Sequence, residues 1–293
     1  MVGSTLANIV ALLAILPFIR GLTFGIDFTG GVIVEASYSA AVNLDSIRTD
    51  LTEAGFQSAQ VQNFGSTSDV LIRLPPVAEN STAAAVQDQV MRVLRMAGPD
   101  VTLRRLEAIG PQVGEDLAQQ GALAMIFALL MVFVYVMIRF RWKLALGAIV
   151  ATLHDVLLTV GAFAVFGWQF DLTVLGSVLA VLGYSLNDTI VIYDRIRDNF
   201  RLIRRGSAEA IVNASVNQTL SRTVITSGTT LLTVVALFLF GGDALRGFSL
   251  ALIIGIVVGT YSSVYVASSM ALVLNVSPAD FVETKQERVD ELP

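Results

Sequence analysis

A carboxylate in the middle of an apolar run is the first feature of this sequence that calls for chemistry. Ser185-Leu186-Asn187-Asp188-Thr189 interrupts a lipid-soluble stretch from Leu172 to Tyr193, with Asp188 more than halfway along it. An acidic side chain at that depth costs roughly 2.5–3.5 kcal/mol on insertion scales, so it needs a reason to be there. Arg222, just before the apolar stretch Val224 to Phe240, can reach inward toward it. Burial favours the protonated carboxyl and a nearby guanidinium favours the ionised one, so changing their separation would switch proton uptake to release. A membrane potential supplies about 2.3 kcal/mol per charge per 100 mV, enough to bias a two-state helix packing. A static ion pair is the bland alternative, and it is disfavoured because apolar packing would serve at lower cost. Asn187 and Asp155 complete the expected relay. Asp155 follows His154 about halfway along another apolar stretch; for His154 a plain hydrogen bond across helices is the preferred reading.

A second candidate is Gly25-Ile26-Asp27-Phe28-Thr29-Gly30-Gly31. Its glycines allow backbone conformations that other residues resist, which suits a hinge at Gly25, Asp27, Gly30 and Gly31. A phosphate-cradling loop is rejected because no strand precedes the glycines and no Lys-Ser/Thr closes them. Gly255 and Gly259 form a GxxxG, joined by Ser262, Ser263, Ser268 and Ser269; such small faces allow close helix contact.

These residues need a membrane bundle to hold them. Of 293 residues, 54% are hydrophobic and only 15% charged, a balance that one large soluble core does not explain. Apolar runs at Leu6–Leu22, Ala122–Ile138, Leu144–Phe166, Leu172–Tyr193, Val224–Phe240 and Phe248–Leu274 predict six transmembrane helices. The first run reads as a retained anchor, since it lacks a charged start and a small-residue cleavage site. The lack of basic residues before Leu6 is unusual for a cytoplasmic start and leaves open a longer polypeptide upstream. Arg139, Arg141 and Lys143, and then Arg195, Arg197, Arg201, Arg204 and Arg205, mark two loops as cytoplasmic. Both termini are then cytoplasmic, and the segment after the first span is extracytoplasmic.

That segment alternates strand and helix. Strands are expected at Val32–Tyr38, Gln60–Phe64, Val70–Leu74 and Val101–Ile109, with a turn at Gly65–Asp69. Helices are expected at Leu44–Ala54 and from a Ser81 cap to Met96, before Gly98 and Pro99. The order βαββαβ is the ferredoxin-like split motif, which assigns no function by itself. The expected division is a helix over 1–22, an α+β domain over 23–118, the remaining helices over 119–276 and an acidic cytoplasmic tail over 277–293.

Composition removes several activities. No Cys and a single His leave no thiolate site, no cysteine nucleophile and no histidine zinc site, so no metal and no cofactor is expected. A net charge of −5 gives no reason to expect nucleic-acid binding. Tyr193-Asp194 and Gly242-Asp243 echo an intramembrane aspartyl protease. The two carboxylates fall at opposite ends of spans, however, and Phe240 stands where a glycine is required. No enzymatic activity is expected.

Gly25-Ile-Asp-Phe-Thr-Gly-Gly31, Gly110-Pro-Gln-Val-Gly114, Leu153-His-Asp-Val156, Gly183-Tyr-Ser-Leu-Asn-Asp-Thr-Ile-Val-Ile-Tyr-Asp-Arg-Ile-Arg197 and Ser221-Arg-Thr223 together resemble the SecF family of bacterial protein-export membrane subunits. The likeness covers nearly the whole chain in order and departs from the family only in its short start. It implies membership of the resistance-nodulation-division superfamily, with six helices forming half of a twelve-helix unit and SecD supplying the other half, fused or separate. It implies a place in the bacterial inner membrane, use of the proton-motive force, and work on preproteins released from the SecYEG channel. The family's proton site, an aspartate of the fourth helix and an arginine of the fifth, falls on Asp188 and Arg222. A proton-driven small-molecule exporter half is the alternative, but one βαββαβ domain is small for a substrate cleft. A passive scaffold is the third reading.

Overall fold

Long helices dominate the chain, and a four-stranded sheet lies near its start. The computed structural model describes residues 2–56, 59–75, 83–98, 100–203, 206–242 and 245–281. Ser81, Pro99, Arg204, Arg205, Asp243 and residues 282–293 of the expected tail lie outside the described residues. Two compact units emerge. One comprises Thr23–Met125 with Trp168–Leu175; the other comprises Met1–Leu22, Ile126–Gly167 and Gly176–Pro293.

In the first unit, β2 (Gly31–Ser37), β3 (Gln60–Phe64), β4 (Ser66–Leu74) and β5 (Thr102–Ile109) make an antiparallel sheet in the order β3-β4-β2-β5. Alternate residues of β2, Val32, Val34 and Ala36, turn to the core, and Val34 lies opposite both Ile72 and Leu106. Helix α3 (Leu44–Glu53) starts where Asn43 accepts the Asp45 N–H at 2.9 Å. It lays Ile47 and Leu51, four residues apart, onto that face, and α4 (Ala83–Ala97) adds Val86, Val90, Val93 and Leu94. The turn expected over Gly65–Asp69 shrinks to Gly65, and Ser66–Asp69 extend β4. Asp69 stabilises that extension by accepting from Ser37 and Ser66 at 2.5 and 2.9 Å.

Two pieces of this unit went unforeseen in the sequence. Strand β1 (Thr23–Phe24) pairs in parallel with β6 (Gln169–Phe170), and α2 (Ile26–Thr29) forms one short turn between β1 and β2. The pairing draws Trp168–Leu175 into the same unit as residues 23–125. Two-residue strands carry no readable periodicity, so the sequence could not announce them.

The second unit is helical. Among the described residues, five helices are long and apolar enough to cross a membrane: α5 (Pro111–Arg139), α6 (Trp142–Phe166), α7 (Leu172–Leu202), α8 (Ala208–Phe240) and the run Arg246–Val273. Helix α1 (Val2–Ile15) is shorter than the expected Leu6–Leu22 span. Pro17 disfavours helical geometry in the residue before it, and the 14-residue helix that remains is only about 21 Å long. The last run is not uniform, because α9 (Arg246–Tyr261) and α10 (Ser268–Val273) flank a π-helical turn at Ser262–Ala267. The core at one end of this unit gathers Phe140, Leu144, Tyr193, Ile196, Phe200 and Ile211. Close approach elsewhere depends on small residues: a Cβ on Gly255 would fall within the Val181 side chain.

Candidate functional site

Asp188 sits on α7 with 3% of its surface exposed. Its Oδ2 accepts from the Ser227 hydroxyl of α8 at 3.2 Å, and Thr260 Oγ1 of α9 stands 2.8 Å from Ser227 Oγ. Three helices therefore meet at one carboxylate through hydroxyl groups. Arg222 comes within electrostatic reach but forms no direct ion pair with Asp188, and its own side chain is exposed. The expected pair is thus brought into one neighbourhood with Ser227 in the bonding position. Thr223, beside Arg222, has a buried Oγ1 without a hydrogen-bond partner among the described residues. Asn187 points to the exposed side of α7, away from this group.

Asp155 is fully buried on α6 and anchors a second network. Its Oδ1 lies 2.8 Å from His154 Nδ1, and its Oδ2 accepts a short hydrogen bond from Ser185 of α7. His154 Nε2 in turn lies 2.6 Å from Ser4 Oγ on α1, and the imidazole stacks on Tyr261 of α9. Ser185 and Asp188 are one turn apart on α7, so both carboxylates report to the same helix. The link continues through Ser263, which lies 3.0 Å from Thr189 Oγ1 and donates to the Ser185 carbonyl at 3.3 Å. Ser263 is held there by the π-helical turn, a feature common at functional sites. Neither Ser227 nor Ser4 was singled out from the sequence. The only signal was a run of hydroxyl residues in α8 and the N-terminal apolar stretch.

The glycine-rich segment belongs wholly to the first unit. Gly25 N–H donates to Phe170 O at 2.8 Å, and Asp27 Oδ2 accepts the Leu172 N–H at 2.9 Å. Gly30 and Gly31 have φ of +70° and +131°, and a Cβ on Gly31 would come within 2.6 Å of the Leu74 carbonyl oxygen. Both positions therefore require glycine. Phe24, Phe28 and Phe170 pack together with ring centroids 6.0–6.3 Å apart. The segment is stapled at several points, so any bending falls at its margins.

Asp194 is ion-paired to Arg139 at 2.6 Å and to Arg197 at 3.7 Å, which occupies it structurally. Among the described residues no group of three His, Asp or Glu side chains is placed to hold a metal ion.

Comparison with known proteins decides the family. Residues 89–277 match the family described as protein export membrane protein SecD/SecF, C-terminal, and residues 15–42 match the SecD/SecF GG motif. Protein translocase subunit SecF of Escherichia coli O157:H7 is 45% identical over 271 residues, covering 92% of this chain and 84% of that one. The chain belongs to the SecF family. Its relative from Vibrio alginolyticus is 46% identical over 279 residues, with 94% and 88% covered. The crystal structure of SecDF, a translocon-associated membrane protein from Thermus thermophilus, superposes with a TM-score of 0.82 at 35% identity over 93% of this chain. The match spans 37% of that SecDF chain, so this SecF-family chain corresponds to a little over a third of it. A membrane protein of the translocase-subunit class is what these likenesses describe. The GG motif includes Gly30 and Gly31, the two glycines that the geometry requires.

Proposed function

We propose that this chain is a proton-motive-force-coupled subunit of the Sec export machinery, acting with SecD in the bacterial inner membrane on preproteins downstream of the SecYEG channel. The observation that carries the reading is Asp188, a nearly inaccessible carboxylate on a 31-residue apolar helix with a hydroxyl partner and a guanidinium within reach. In the proposed cycle Asp188 takes a proton when Arg222 is withdrawn and releases it when the guanidinium approaches. Asp155 passes its state to the same helix through Ser185. A gradient of 100 mV acting on one charge is worth about 2.3 kcal/mol, a bias of about fiftyfold between two packings. Asn187, on the exposed side of α7, is assigned to contact with the partner half instead of the proton itself.

The finer architecture is part of this proposal. With α1 counted as a short first span, the bundle has six, both termini are cytoplasmic, and residues 23–118 form the extracytoplasmic domain. The strand order β3-β4-β2-β5 supports a ferredoxin-like reading of that domain. The stapled segment from Gly25 to Gly31 acts as the rigid end of a hinge, and a cross-link across its margins would slow export.

The test is proton-gradient-dependent preprotein export in vesicles that also contain SecD. Asp188→Asn and, separately, Arg222→Met should abolish the gradient-stimulated component while the complex still assembles. Stimulation equal to the parent in both variants would refute the assignment.

A further inference from the structure

Two cavities in the unit formed by Thr23–Met125 and Trp168–Leu175 share walls and differ in chemistry. The first, about 410 Å³, is lined by Phe24, Phe28, Met125, Phe170 and Leu175 among other apolar groups. Its one hydroxyl, on Thr29, is already shared between the Gly25 and Gly30 carbonyls at 3.1 and 3.0 Å. The second, about 280 Å³, is lined on its polar side by Thr23, Gln60, Arg73 and Gln169. Phe24 and Thr29 line both, so the two are contiguous. A joined apolar and cationic space of this size is in the range of small-ligand sites.

Arg73 is the unusual member. It is half-buried on β4, and its Nε is buried with no hydrogen-bond partner among the described residues. Burial pushes its guanidinium below the usual range, and Asp171 offsets this only through space. Asp171 is itself engaged, its Oδ1 accepting from Thr173 Oγ1 at 2.6 Å and from the Val174 N–H at 2.8 Å. A half-buried guanidinium whose Nε lacks a partner among the described residues is complementary to a phosphate.

We propose that the joined cavities bind one anionic phospholipid, its phosphate on Arg73 and an acyl chain against Phe24, Phe28 and Phe170. The apolar cavity sets this ligand apart from a free phosphate, which would leave it unfilled. Position argues for lipid over a peptide. The cavity wall on α5 runs from Ala118 to Met125, where the helix passes from Glu115 and Asp116 into its apolar stretch, and Leu175 lies in the first turn of α7. That is the level of a span at which headgroup meets hydrocarbon.

The test uses the full chain in complex with SecD, in mild detergent, with native mass spectrometry of added phosphatidylglycerol, phosphatidylethanolamine and glycerol 1-phosphate. Phosphatidylglycerol should be retained most tightly and glycerol 1-phosphate least. Arg73→Gln should weaken phosphatidylglycerol binding about tenfold or more. Ala122→Phe, on the exposed wall of the apolar cavity, should also weaken it with Arg73 in place. Equal binding by parent and both variants would overturn the proposal. So would glycerol 1-phosphate binding as tightly as the lipid, which would mean a simple phosphate site. Lipid held by the isolated chain and absent from the complex would overturn it too, since the partner then covers the site.

Discussion

Adding one methyl group at Gly255 should push α9 off α7 and disturb the proposed proton site from a distance. The Cβ of an alanine there would fall within the side chain of Val181, which is 1% exposed and has nowhere to turn. Overpacking of this kind costs about 1–3 kcal/mol. Val181→Ala alone removes two buried methyl groups and leaves a cavity, also about 1–3 kcal/mol. In the double variant the new methyl occupies the space the valine vacated, so the pair should couple favourably by about 1–2 kcal/mol. Denaturant unfolding of the full chain in bicelles, across all four members of the cycle, measures this. A functional readout accompanies it. One turn further along α9, Gly259 faces Ser185 and lies near Asp155 Oδ2, and Thr260 contacts Ser227. Gradient-stimulated export should therefore fall in Gly255→Ala and recover in the double variant. Costs that add within about 0.5 kcal/mol, or a Gly255→Ala protein as stable as the parent, would refute the argument.

Two further expectations follow from side chains outside that contact. Tyr38 is buried against α4, its hydroxyl donating to Leu94 O at 3.2 Å, and burial with a smaller push from Asp50 raises its pKa to about 12. The folded state keeps this proton above pH 10, where an unfolded tyrosine loses it, so stability is full below about pH 10 and declines from there to about pH 12. Denaturant midpoints of the full chain between pH 8 and 12 should show that decline flattened in Tyr38→Phe; parallel curves would mean another group is responsible. Ser4→Ala leaves His154 Nε2 buried without its partner and should cost about 1–3 kcal/mol in the same unfolding assay, with Ser4→Thr recovering most of it.

The outline of the fold was legible because period carries it. Gln60–Phe64 appears with the bounds expected, and the spans beginning near Leu144 and Leu172 start within two residues of expectation. Boundaries failed where helices outlast their apolar stretch. Helix α5 begins at Pro111 instead of Ala122, and α8 begins at Ala208 instead of Val224, because hydropathy marks contact with lipid and helical geometry continues beyond it. The pairing of β1 with β6 escaped notice for another reason. It joins residues nearly 150 positions apart with strands too short to show alternation.

The site divided along a similar line. Asp188, Asp155 and Arg222 could be named from the sequence because a charge in an apolar stretch stands out; the hydroxyl that binds Asp188 could not. Most Ser and Thr side chains on α8 bond the carbonyl one turn back on their own helix, as Ser215, Thr219, Thr226, Thr229, Thr230 and Thr233 do. Only Ser227 turns its hydroxyl to Asp188, and nothing in its local sequence distinguishes it from those neighbours. The identity of that partner bears on mechanism. A guanidinium can only donate, so a direct Arg222 pair would suit one protonation state of Asp188 and oppose the other. A hydroxyl donates to the ionised carboxylate and accepts from the protonated one by rotating a single bond. With Ser227 in contact and Arg222 acting at a distance, the carboxyl keeps a hydrogen-bonding partner in both states, which is what the proposed cycle of uptake and release demands of it.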